Sequence, residues 1–344
     1  MIFLNNSRAQ NHPPISPKWV FEPMVWEDEN NTREAVDSLI KRYQRNKIPV
    51  GAVIIDSPWE ARDDSTVSYN ETSNNGYNTF VFNEDWYPNP KGFIDRLRNE
   101  DSLHVILWIT GIIDTGCNLW QDAHDKGYFV KFKHGGDITQ WWKGSRRASH
   151  IDFFKDSAKT FWEEQMDLIL NDYEVDGWKV DWSDVWLRDS SFIITAKGVK
   201  TTGAYSNEYY SEMYNYIKSK KDSGMILARP YCLQDDWGTG YFFAPKSVNT
   251  AGWVGDQWNT WNATCGLQLA LNNIFISADS GYATVGFDIG GYRNAWSDEH
   301  YFPPDRILFL RWAQLGALMP IMENGGNKDS CHQPWLFSPV ISDG

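Results

Sequence analysis

Val175-Asp176-Gly177-Trp178-Lys179-Val180-Asp181-Trp182-Ser183-Asp184 reads as a short buried strand, fed by a turn at Asp176-Gly177 and ending in a carboxylate. Side chains alternate faces along a strand, so Lys179 and Asp181 share one face while Val180 and Trp182 take the other. A charged pair on one face of an apolar strand is costly unless that face lines a polar cavity. A nearby cation also favours an ionised carboxylate, which suits an anionic nucleophile. A buried structural ion pair satisfies the same segment, so the rest of the chain has to separate the two readings.

Similar apolar runs recur at Trp19–Trp26, Val50–Asp56, His104–Thr110, Met225–Pro230, Gly252–Asp256, Ala283–Asp288 and Ala317–Met322. Helical patterns lie between them at Thr32–Asn46, Pro90–Asn99, Ser157–Asn171, Asn207–Lys220, Thr260–Ile276 and Pro304–Leu315. Eight alternating units in 344 residues predict an α/β fold, a (β/α)8 barrel. A doubly wound open sheet is the alternative, but no Gly-rich phosphate turn follows the first strand. Long polar insertions at Glu60–Thr79, Gly111–Ser149, Leu187–Ala204 and Tyr231–Asn249 all follow strand C-termini, where a barrel builds its active-site cleft. Residues 1–17 read as a linker or truncated edge, and residues 18–344 as the barrel. Little chain remains for an eighth helix, so the barrel is expected to be incomplete at its C-terminus.

Composition narrows the partners. The net charge of −13 argues against nucleic acid and anionic membrane surfaces. No apolar run approaches the ~20 residues of a membrane span. Four separated cysteines show no metal-finger spacing, and sequons at Asn5, Asn30, Asn70 and Asn262 leave the compartment open. Nineteen tryptophans and 15% aromatic residues exceed the needs of a core this size. Indoles offer an apolar face and an N–H donor, which favours a carbohydrate partner such as an oligosaccharide or glycoside. Oligomeric state is not legible.

Four predicted strands end in aspartate: Asp56, Asp181, Asp256 and Asp288. One such residue is ordinarily a helix cap. Four on one rim are wasteful unless hydroxyl-rich substrate or a cation lies among them. No histidine cluster supports zinc, and no loop of calcium type is present, so neither a metal nor another cofactor is expected. Paired carboxylates without a metal point to glycoside hydrolysis. Asp181 suits the ionised role. Asp256, among small and apolar neighbours, suits the protonated one.

Gly177-Trp178-Lys179-Val180-Asp181, Gly252-Trp253-Val254-Gly255-Asp256, Val285-Gly286-Phe287-Asp288-Ile289-Gly290-Gly291-Tyr292 and Arg311-Trp312-Ala313-Gln314-Leu315-Gly316-Ala317 occur in this order. The set resembles the catalytic barrel of the family 31 glycoside hydrolases, retaining enzymes acting on α-glycosides. The resemblance implies Asp181 as nucleophile and Asp256 as acid/base. It implies Asp56, Lys179, Arg229 and Trp253 at the sugar, with Lys179 marking the branch that carries a KxD motif. Asp288 is implied as a residue that is either structural or borders the sugar. Three features depart from the pattern. Asp184 stands where glutamate is usual. Glu323-Asn324-Gly325-Gly326 replaces Arg-Asn-His after the eighth strand, leaving His332 either to take over the sugar contact or to lie exposed. The accessory β-domains of the family are not recognisable. The function expected is a retaining α-glycosidase of α-glucosidase, α-xylosidase or α-galactosidase type. Transglycosylation, lyase-type elimination and a catalytically silent carbohydrate-binding relative are the alternatives.

Overall fold

A computed structural model describes residues 12–28, 31–61, 79–115, 117–141, 146–181, 187, 192–232, 243–294, 296–297, 300–301, 305–326 and 333–337. Eight parallel strands form one sheet: β1 (Met24–Val25), β2 (Ala52–Ile55), β3 (His104–Ile109), β4 (Gly177–Val180), β5 (Met225–Ala228), β6 (Ala251–Trp253), β7 (Val285–Gly286) and β8 (Glu323–Asn324). They pair in chain order from β1 to β7, and β8 pairs with β1. A parallel bridge between Asp288 and Glu323 joins β7 to β8 and closes the barrel. Closure matters because an open edge would leave unpaired backbone groups in the interior.

The side-chain alternation expected from the sequence builds two layers. Met24, Ala52, Ile54, Ile106, Met225, Leu227, Ala251, Trp253 and Ile321 fill the interior. Val53, Ile55, Val105, Leu107, Trp178, Val180 and Ile226 face outward and pack under the helices. Among the described residues seven helices accompany the sheet: α1 (Arg33–Arg45), α2 (Pro90–Asn99), α3 (Asn118–Asp125), α4 (Asp156–Tyr173), α5 (Thr202–Lys220), α6 (Leu267–Asp279) and α7 (Arg306–Gly316). Helix α1 buries Val36, Leu39, Ile40 and Tyr43, a helical stripe, and Thr32 caps its N-terminus by accepting from Ala35 N at 3.2 Å.

Three elements differ from the sequence expectation, and proline accounts for two. Lys18–Phe21 is a 3₁₀ turn, and the predicted first strand contracts to Met24–Val25 after Pro23, which has no N–H for a ladder. The eighth strand pairs at Glu323–Asn324 because the preceding stretch around Pro320 is the turn out of α7. The sixth helix begins at Leu267, since Asn262 accepts from Thr264 N at 2.8 Å and bends residues 260–266 into a loop.

The insertions have structure of their own. Ile112–Asp114, Arg146–His150 and Ile138–Trp141 form an antiparallel sheet beside α3, over the C-terminal end of β3. The hairpin Phe192–Thr195 and Gly198–Thr201, which follows β4, pairs with Lys131–Phe132 of that same insertion. Both insertions lie after strand C-termini, so they stand at the face where the strand-end carboxylates emerge.

Close backbone approach at the β7–β8 seam requires Gly286. A Cβ there would lie 2.4 Å from the carbonyl oxygen of Ile321, which the barrel holds fixed. We expect Gly286→Ala to lower unfolding free energy by about 1–3 kcal/mol through overpacking. Gly203→Ala, where a Cβ meets nothing within 4 Å in the first turn of α5, should instead raise it by about 0.5–1 kcal/mol. Urea denaturation of both variants checks the contrast, and equal effects would rule out the steric account.

Candidate active site

Strand alternation delivers Asp56, Lys179, Asp181, Arg229, Trp253, Asp288 and Glu323 to the interior at the C-terminal mouth, and all seven are buried. Asp56 follows β2, where its Oδ1 accepts from Ser57 N at 2.8 Å. The Asn31 amide donates to the Asp56 carbonyl, and Tyr87 OH donates to the Asn31 carbonyl at 2.7 Å. Lys179 Nζ meets Asp56 Oδ2 at 2.8 Å, with both side chains almost sealed from solvent. The ammonium also lies 3.4 Å from the centre of the Trp26 ring and 5.2 Å from that of Trp253.

Sequence spacing pointed to Lys179 as the cation serving Asp181, and the structure corrects that reading. Lys179 reaches across β3 to Asp56 because inward side chains of alternate strands share a layer in a barrel. Asp181 is served by Arg229, whose Nε donates to Oδ1 at 3.1 Å, and by the Trp108 indole, which donates to Oδ2 at 3.1 Å. Its backbone is fixed as well: the N–H donates to Ile109 O at 2.9 Å, and the carbonyl accepts from Tyr209 OH at 2.7 Å.

Arg229 extends from β5 over the Trp253 ring, 4.7 Å from its centre. Its Nη2 donates to Asp256 Oδ1 at 2.8 Å, so one guanidinium joins Asp181 to Asp256. Arg293 Nη2 stands 3.7 Å from Asp256 Oδ2. Burial favours the protonated form of Asp256, but these two guanidinium groups outweigh it and hold the carboxyl below its usual range. The small and apolar neighbours in sequence had pointed the other way. Both cations come from elsewhere in the chain, where local sequence gives no hint of them.

A fifth strand-end carboxylate, Glu323, escaped the sequence reading because the expected strand stopped at Met322. Asp288 and Glu323 face each other across the closing bridge, and neither carboxyl accepts a hydrogen bond of normal geometry from a described residue. Burial pushes Asp288 well above its usual range, and the Glu323 charge adds to it. Burial likewise pushes Glu323 up to about 7, against the pull of Lys179. Just beyond, Gly325 lies against the Trp26 indole, and a Cβ there would sit 2.1 Å from the ring. Trp26 thus takes the space that a larger residue at this turn would need. The backbone of Trp26 is tied to Asn324 O at 3.1 Å, and Asn324, Tyr43, Gln333 and Glu27 form one hydrogen-bonded network. That network fixes Pro334–Phe337 to α1, with Trp335 edge-on to Tyr43.

His332, Asp184 and Trp182 lie outside the described residues. Among the described residues no group of side chains is arranged to hold a metal, and no helix is long and apolar enough to cross a membrane. A groove of about 640 Å³ on the flank of α1, lined by Arg33, Asp37, Lys41, Arg42 and Trp86 among others, shares no residue with the carboxylate cluster. Carboxylates, cations and indoles converge instead at the barrel mouth.

Comparison with known proteins agrees with this architecture. The family model described as glycosyl hydrolases family 31 TIM-barrel domain matches residues 13–343. The 1,3-alpha-isomaltosidase of Kribbella flavida is 25% identical over 324 residues, covering 89% of this chain and 41% of that protein. The alpha-xylosidase XylQ of Lactiplantibacillus pentosus is 23% identical, covering 94% and 38%. The chain therefore spans about two fifths of the length of these curated relatives. A Flavobacterium johnsoniae GH31 dextranase, solved in complex with glucose, superimposes with a TM-score of 0.76 at 20% identity, covering 96% of this chain and 39% of that one.

The buried pair yields a signed pH effect. Asp288 and Glu323 bind protons more tightly folded than unfolded, so their contribution is fully present below the unfolded carboxyl pKa. The Glu323 share is lost as pH rises through about 7. Glu323→Gln removes one of these groups. Its melting temperature relative to the parent should therefore climb steadily from pH 4.5 to 8, and a pH-independent difference would refute the buried-carboxyl account.

Proposed function

Given that the chain belongs to glycosyl hydrolase family 31, whose TIM-barrel domain it carries, we propose that it hydrolyses α-glycosidic bonds with retention of configuration. The observation that carries this reading is the Arg229 guanidinium joining Asp181 to Asp256. Two carboxylates within reach of one planar fork can flank a single anomeric carbon, as double displacement requires. Residues 18–344 are read as the catalytic barrel.

In this mechanism Asp181 is the nucleophile. Trp108 and Arg229 orient its carboxylate, and the tethered backbone fixes its approach to the anomeric carbon. Asp256 donates a proton to the departing glycosidic oxygen, then withdraws one from water as that water opens the glycosyl–aspartate ester. The two guanidinium groups keep Asp256 ionised in the unliganded site. Taking up the proton therefore requires substrate to displace part of that positive charge, with the Asp181 carboxylate favouring protonation from nearby.

Asp56 is assigned to the hydroxyls of the sugar being cleaved, with its acceptor oxygens oriented by Lys179 and Ser57. Lys179 is read as the mark of the KxD branch, and it lies against the rings of Trp26 and Trp253. Trp253 and Asp288 line the same sugar site, and His332 is assigned to it from the sequence. The partner is an oligosaccharide or glycoside. The relatives' names, an isomaltosidase and a xylosidase, favour α-linked glucose or xylose.

In the full-length protein, Asp181→Ala should cut kcat for an aryl α-glycoside by about a thousandfold or more. Proton NMR of the parent reaction should show the α-anomer released first. Undiminished turnover in the variant, or first release of the β-anomer, would overturn the assignment. Asp256→Ala should cost a glycoside with a poor leaving group about a hundredfold more than one with an activated aryl group. Equal losses on the two substrates would remove Asp256 from the acid role.

A further inference from the structure

The mouth of the barrel carries a ladder of two stacked rings between two cations. Lys179 lies on the Trp26 face. Trp26 in turn stacks on Tyr292 with ring centres 5.7 Å apart and planes 19° from parallel. The guanidinium carbon of Arg293 is 5.7 Å from the centre of the Tyr292 ring. The Lys179 side chain at one end is 4% exposed and that of Arg293 at the other is 27% exposed. The series therefore climbs from the floor of the site to its rim.

At the rim, the two oxygens of Asp256 face different surroundings. Oδ1 is bound to Arg229 at 2.8 Å, on the side of Asp181. Oδ2 faces Arg293 at 3.7 Å, beyond hydrogen-bond length, so that contact is loose. The backbone of Arg293 is not loose. It pairs beside Trp258, and its N–H donates to Gln257 O at 3.1 Å, which ties it to the loop that carries Asp256.

If Asp256 is the acid, the proton leaves from Oδ2, since Oδ1 is occupied by Arg229. The glycosidic oxygen must then lie against Oδ2, and the leaving group beside Arg293. We propose that Arg293 binds the leaving-group sugar, exchanging its loose contact with Asp256 for hydroxyls of the departing residue. This rests on the glycosidase reading above. A planar fork of donors matches neighbouring ring hydroxyls. The substrate class is therefore an oligosaccharide whose departing residue is itself a sugar, rather than a glycoside of an apolar alcohol. The exchange has a second consequence. Asp256 is faced by Arg229, Arg293, Lys179, Asp288 and Tyr292. Drawing off Arg293 removes one of the three cations just as the proton is needed.

The test compares full-length parent, Arg293→Gln and Arg293→Lys on a 4-nitrophenyl α-glycoside and on the α-linked disaccharide of the same glycone. Arg293→Gln should lose about tenfold or more in kcat/KM on the disaccharide beyond any loss on the aryl substrate. Arg293→Lys should recover part of that difference. The alkaline limb of the aryl-substrate profile should move to higher pH in Arg293→Gln, because the acid retains its proton longer once a cation is gone. Equal losses on both substrates, or an unmoved limb, overturn the role of Arg293 while leaving the glycosidase reading intact. A parent protein that cleaves no α-glycoside, or an Asp181→Ala variant as active as the parent, overturns that reading and this one with it.

Discussion

One guanidinium, that of Arg229, touches carboxylates delivered by the strands on either side of it, Asp181 after β4 and Asp256 after β6. Without it the barrel mouth would hold facing anions with little solvent to separate them. Burying charge is costly unless it is paired, and breaking one partner of a buried pair costs more than never having formed it. The remaining geometry follows from this constraint. Trp253 supports the guanidinium from below, Trp108 takes the second oxygen of Asp181, and Arg293 faces the second oxygen of Asp256.

The same accounting explains why burial prevails at Asp288 and Glu323 while Asp256 is held below its usual range. Asp56, Asp181 and Asp256 each have a cation or donors in direct contact. Asp288 and Glu323 feel the longer-range pull of Lys179 and Arg229, with the Trp26 indole adding to it at Glu323, and burial prevails. Asp256 and the Asp288–Glu323 pair are thereby pushed in opposite directions. Such a division of proton affinities within one cluster is what acid–base chemistry at a single site needs.

Much of the barrel was legible in the chain because strand and helix periods are local properties. The outward run Trp178 and Val180 and the inward run Lys179 and Asp181 follow from a period of two, and the structure keeps it. Proline marks where the reading slipped: Pro23 trims β1 and Pro320 delays β8, and the second slip hid Glu323. Four of the five carboxylates at the barrel mouth were visible as strand-end aspartates, whereas Trp26, Trp108 and Arg293 were not. Nothing near them in sequence distinguishes a tryptophan of the core from one lying over a lysine.

By itself, then, the sequence determined which residue types stand at the strand ends and in what order, since alternation and element order are written along the chain. Only the tertiary structure decided who pairs with whom. Lys179 looked like the partner of Asp181 two residues away, yet curvature of the closed sheet carries it to Asp56. Asp256 looked desolvated, yet two cations from other segments hold it ionised. Charge pairing falls off with distance in space, and distance along the chain constrains that only weakly once eight strands close into a ring.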